Sequence, residues 1–203
     1  GIVERDINDK NPRLDQKHNN RVRIIPFLEK GRWSASLKEK PAINALTKKG
    51  QPAHSAAQVG VFAQQFVNSI LGSENFLVTL NKDEASIDDL DRPGVTRTST
   101  AVHGMNHLRH LDHAAYLAST NPTPFEVKTL RMFSKDHKLN EEDLIEAVVV
   151  ERCYEAAYQC IARTSIRNKN HDPTKEHIII VPDMKYAAYL SEWFDGSATV
   201  DTQ

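Results

Sequence analysis

SAAQVGVFAQQFVNSILGSENFLVTLN, residues 55–81, sets a helix, a stop and a strand in immediate succession. Val59, Phe62, Phe66 and Ile70 recur every three to four residues, the spacing of one apolar helix face, and predict a helix from Ser55 to Leu71. Gly72 follows as a C-terminal stop. Phe76 to Leu80 (FLVTL) is a short, nearly continuous apolar run, which reads as a strand buried on both faces and ends in Asn81-Lys82-Asp83. Helix, short stop and buried strand together predict an α/β fold with a mostly parallel sheet.

The flanking chain keeps this rhythm. Arg21 to Phe27 (RVRIIPF) reads as the first strand, with Pro26 near an edge or turn. Val95 to Ala101 reads as a strand rich in β-branched and hydroxyl residues, running into the turn His103-Gly104-Met105-Asn106. Ala114 to Ser119 is a further short strand, closed by Asn121-Pro122-Thr123-Pro124. Phe125 to Phe133 reads as helix, and Asn140 caps a long helix expected to run from Glu141 to Arg167. His177 to Pro182 (HIIIVP) has the pattern of a central strand, and residues 184–194 that of a closing amphipathic helix. Residues 1–20 are expected to be a linker or arm, residues 21–196 one domain, and residues 197–203 a disordered tail.

Composition narrows the class. The 203 residues are 39% hydrophobic and 26% charged, enough to bury a real core, and no apolar run approaches a membrane span. The expected setting is cytoplasmic, with no membrane partner. A chain opening on Gly1 without an apolar leader is expected to be a piece of something longer. A formal charge of −1 argues against holding nucleic acid by bulk charge, though not against a local basic track. Residues 29–53 offer one, with basic residues around Trp33, against the plainer reading of a solvated loop with a half-buried indole. Cys153 and Cys160 are seven residues apart, about 10 Å along a helix, too far for a disulfide.

Chemistry concentrates in Tyr158-Gln159-Cys160-Ile161-Ala162-Arg163-Thr164-Ser165-Ile166-Arg167. On a continuous helix, Gln159, Arg163 and Arg167 would share one face. An amide and two guanidiniums on one stripe can hold an anion through forked, charge-assisted hydrogen bonds, as an arginine finger does for a transferring phosphoryl group. The plainer alternative is a solvated helix face. His103, His107, His110 and His113 fall within eleven residues, but no carboxylate or cysteine completes a familiar zinc spacing, and no metal site is expected. The phosphate-cradling Gly-x-x-x-x-Gly-Lys-[Ser/Thr] loop is absent, so this chain is not expected to turn over a nucleotide alone.

In this order, three segments resemble the C-terminal RecA-like domain of superfamily-two (DEAD/DEAH-like) helicases. Phe76 to Asn81 resembles the strand of motif IV. Thr98 to Asn106, followed by Ala114 to Ser119, resembles motif V. Gln159 to Arg167 resembles the arginine-rich motif VI, with Ala162 where the family commonly has glycine and one extra residue between the arginines. Asn106 stands where many members carry an acidic residue, which marks a divergent branch.

The resemblance implies a RecA-like three-layer α/β domain, with a mostly parallel central sheet flanked by helices. It implies an ATP and Mg site completed by a preceding N-terminal RecA-like domain that carries the P-loop. Arg163 and Arg167 would act as arginine fingers there, with Gln159 as a positioning group. Asn81, Thr98, Ser99, Thr100, Gly104 and Asn106 would contact DNA or RNA. Two other readings remain: a non-catalytic α/β accessory module binding nucleic acid or protein, and a standalone enzyme using the two arginines on a small phosphorylated substrate.

Overall fold

The computed structural model describes residues 21–41, 58–100, 106–167, 174–194 and 198–201. The strands are β1 (Arg21–Leu28), β2 (Phe76–Thr79), β3 (Val95–Thr98), β4 (His113–Tyr116), β5 (Glu176–Asp183) and β6 (Ala198–Val200). The helices are α1 (Ala35–Lys38), α2 (Val59–Leu71), α3 (Pro124–Asp136), α4 (Glu141–Val149), α5 (Ala156–Ile161) and α6 (Met184–Ser191). The six strands form one sheet in the order β3-β2-β4-β5-β1-β6, and every pair in it is parallel.

A parallel sheet must be covered on both faces, and the pleat supplies an apolar set to each. Val22, Ile24, Leu77, Tyr116, Ile179 and Val181 face one side, against Cys153, Ala157, Cys160 and Ile161 from the α4–α5 stretch and Tyr186 and Leu190 of α6. Ile25, Phe76, Val78, Ala115 and Ile180 face the other, against Ala63, Val67 and Leu71 of α2 and the indole of Trp33. The result is the expected three-layer RecA-like α/β arrangement.

The helix, stop and strand at residues 59–79 are as the sequence indicates, with Gly72 at the C-cap of α2 at φ 49°. Asn140 caps α4 by accepting from the amides of Glu142 and Asp143. β5 lies between β4 and β1, the central place its apolar run calls for. Pro26 is tolerated because β6 pairs only with Val22 to Ile24, leaving the Pro26 position beyond that ladder.

Four expectations give way. The single helix from Glu141 to Arg167 is interrupted: α4 passes through a π-turn at Val150–Glu155, α5 stops at Ile161, and a 3₁₀ turn spans Ser165–Arg167. The cause is tertiary. The Thr120 hydroxyl donates to the carbonyl of Arg152 at 2.6 Å, taking the acceptor an α-helix would give to residue 156. Trp33 is fully buried rather than half-buried, donating from Nε1 to the Leu117 carbonyl at 2.9 Å, so it offers no stacking surface. The tail after Gly196 contains an edge strand, β6, continued by a bond from the Asp201 amide to Ile24 O. The strand beginning at Val95 also ends early, at Thr98.

Among the described residues, no helix is long and apolar enough to cross a membrane. The expected linker at residues 1–20 lies outside the described residues.

Candidate functional site

Chain order and sheet order together locate the switch point. From β2 the chain moves outward to β3, and from β4 it moves the opposite way to β5. The carboxyl ends of neighbours β2 and β4 therefore flank the reversal, where open parallel sheets characteristically leave a crevice. Asn81 and Ser119 follow these two strands. The Asn81 side chain joins them, accepting from the Ser119 amide at 2.9 Å and donating to the Ser119 carbonyl at 3.0 Å.

Lys38, 8% exposed, reaches the same point from the end of α1. Its Nζ donates to Asn81 Oδ1 at 2.8 Å and Leu117 O at 3.2 Å, and pairs closely with Glu84. Burial lowers the Lys38 pKa, and the Glu84 carboxylate offsets part of that effect. Gly60 of α2 packs against this pair: a Cβ there would stand 3.4 Å from Lys38 Cβ, in ordinary contact.

Beside the clasp opens a groove of about 310 Å³, lined by Asn81, Lys82, Arg97, Thr98 and Ser99. Three of the six expected nucleic-acid residues meet here. Asn81 is spent on the clasp, and buried Thr98 faces Thr79 hydroxyl to hydroxyl at 3.2 Å, so both shape the groove more than they reach into it. Ser99 is partly exposed at the rim. Thr100 is described but does not line the groove, Asn106 begins a 3₁₀ turn (Asn106–His110), and Gly104 lies outside the described residues.

Lys82 and Arg97 are the residues the sequence reading missed. Both are exposed, and Arg97 also donates to the Glu84 carbonyl. The strand-end position of Lys82 was a usable signal. Arg97 looked like an ordinary outward residue of a half-exposed strand.

The arginines stand elsewhere on the α5 face of the sheet. After α5 the chain tightens: the Thr164 amide and hydroxyl both donate to Ile161 O, at 3.0 and 2.7 Å. Ser165 then pins the turn to the amino end of β4, through its amide to Leu111 O at 2.9 Å and its hydroxyl to Asp112 Oδ1 at 2.7 Å. Lys175 pairs with the other oxygen of Asp112 at 2.5 Å. Burial pushes the Asp112 pKa up, but the hydrogen bonds from Lys175 and Ser165 outweigh it and leave the carboxyl below its ordinary value.

Arg163, half-buried, and Arg167, exposed, flank this pinned Ser165. Gln159 does not join them: its Nε2 donates back along the helix to Glu155 Oε1 at 3.0 Å. Between arginine and groove lies Cys160. Burial pushes its thiol up to about 12, while the Thr79 hydroxyl and the Arg163 guanidinium pull it partly back. Cys160 is thus within electrostatic reach of Arg163 and hydrogen-bonding reach of the Thr79 hydroxyl, which in turn faces Thr98 at the groove wall.

Among the described residues, no group of three His, Cys, Asp or Glu side chains comes together to hold a metal ion. His107 and His110 sit on the 3₁₀ turn, while His113 is built into β4.

No protein-family model matches the chain, and no curated protein or solved structure matches it either, so its chemistry has to be read from its geometry.

Proposed function

We propose that this chain is the C-terminal motor half of an NTP-dependent nucleic-acid helicase or translocase. What supports the reading is a basic, hydroxyl-rimmed groove at the carboxyl ends of β2 and β3, together with a pinned arginine turn at the amino end of β4, with Cys160 and Thr79 between them.

In this reading ATP and Mg²⁺ are held mainly by a P-loop domain, on the same polypeptide or a partner chain. A water attacks the γ-phosphorus, the bond to the β-phosphate oxygen breaks, and ADP and inorganic phosphate leave. Arg163 and Arg167 neutralise charge on the transferring group. Gln159 would have to leave Glu155 to take part, so its role is secondary. Lys82, Arg97 and Ser99 hold the phosphodiester backbone of a DNA or RNA strand at the groove.

Mixing the chain with the P-loop domain that accompanies it tests the reading. Nucleic-acid-stimulated ATP turnover should require both parts. Strand binding by the chain with no turnover in any such combination would favour the accessory-module reading instead.

A further inference from the structure

α3 is the least buried long helix of the described residues. Of its thirteen residues only Ser134 is buried, while Phe125 is 77% and Met132 60% exposed. At 100° per residue, Phe125, Lys128, Met132 and Lys135 fall along one ridge, on the side away from Ser134. The ridge alternates apolar and cationic side chains over about 15 Å. The ion pairs on this hairpin, Arg131–Glu141 and Arg152–Glu126, both at 2.7 Å, leave those two lysines out.

The helix is held firmly at its base. Thr123 and Glu126 form a reciprocal capping box, and Glu126 is fixed to Arg152. Its backbone amide bond to Thr123, with the Arg152 guanidinium, lowers the exposed carboxyl to about 2, so the base stays intact at neutral pH. That base rises from Asn121, two residues after the Ser119 that Asn81 clasps. The ridge therefore springs from the same carboxyl edge as the groove of Lys82, Arg97 and Ser99.

We propose that the Phe125–Lys128–Met132–Lys135 ridge is a second contact for a single-stranded nucleic acid, continuing the path of the strand beyond the groove. This rests on the nucleic-acid reading of the groove. Alternating apolar and cationic side chains complement a strand that offers base faces and phosphates in turn.

Anisotropy with labelled oligothymidylates of about 6 and about 20 nucleotides, using the full chain, tests this. Phe125→Ala with Met132→Ala should weaken the longer probe about tenfold and leave the shorter one unchanged. Lys128→Ala with Lys135→Ala should flatten the logarithmic salt slope by about 1.4 for the longer probe. Wild-type affinity for the longer probe in both variants would overturn the ridge proposal and leave the groove reading standing. No binding of either probe by the wild-type chain would overturn both. A self-association, or a binding to anionic vesicles, that the apolar substitutions abolish while strand affinity is unchanged would assign the ridge to that occupant instead.

Discussion

The side-chain amide of Asn81 grips the backbone of Ser119 from both sides, accepting its N–H at 2.9 Å and donating to its C=O at 3.0 Å. A side chain here does the work of a β-ladder rung, holding β2 and β4 together just past the point where their backbone pairing ends at Thr79 and Tyr116. It also gives Lys38 one of its two uncharged acceptors, the other being Leu117 O.

Removing that amide should be felt as a loss of stability. Asn81→Ala strips partners from the Ser119 backbone and from Lys38, and should cost about 2 kcal/mol in urea unfolding with little change in m-value. Asn81→Asp keeps both acceptor contacts but sets a carboxylate oxygen against the Ser119 carbonyl, so it should fall between alanine and wild type. A neutral alanine variant would mean that the clasp holds nothing.

Buried Lys38 is paired with the partly buried Glu84, and such pairs are costly to break from one side. Lys38→Met leaves the Glu84 carboxylate with only the Asn81 amide at 3.2 Å, and should destabilise by about 3 kcal/mol. Adding Glu84→Gln removes the orphaned charge and should restore part of that loss. A double-mutant cycle checks it; strict additivity of the two changes would contradict the pairing.

His113 links stability to pH. Its Nδ1 accepts from the Ile178 amide at 3.0 Å, so the neutral ring with its proton on Nε2 is the form that fits. Burial lowers its pKa below 6.5, with the Glu74 and Asp112 carboxylates offsetting part of the effect. The unfolded chain then binds the proton more readily, so this contribution is full above 6.5 and is lost as pH falls through the folded value. Urea midpoints at about pH 7.5 and about pH 5.5 should separate in the wild type. They should separate less in His113→Asn, whose Oδ1 can take the Nδ1 bond. An equal separation would place the acid sensitivity elsewhere.

The layered fold was legible because it depends on local pattern. The α2 stripe, Gly72 and the FLVTL run each specify an element within a few residues, and a sheet buried on both faces follows from them. The arginine segment was legible as chemistry but not as geometry. Every residue from Glu141 to Arg167 tolerates helix, and nothing local announces that Thr120, some thirty residues upstream, takes the Arg152 carbonyl. Nor does the sequence show that Leu111 and Asp112 pin Ser165. Asn81 was singled out at the strand end as a nucleic-acid contact, but its side chain is taken by Ser119, 38 residues away, and that clasp could not be read from its neighbours. β6 was missed because three residues of an otherwise polar tail carry no periodicity, and their place is set by the free edge of β1.

The central claim is that Arg163 and Arg167 serve a nucleotide held by another domain. Steady-state ATP turnover in the presence of nucleic acid, by the chain combined with the P-loop domain that this reading proposes, tests it most directly. Arg163→Ala and Arg167→Ala should each retain the wild-type unfolding curve and lower turnover by about 10³-fold or more. Near-normal turnover in both variants would contradict the claim.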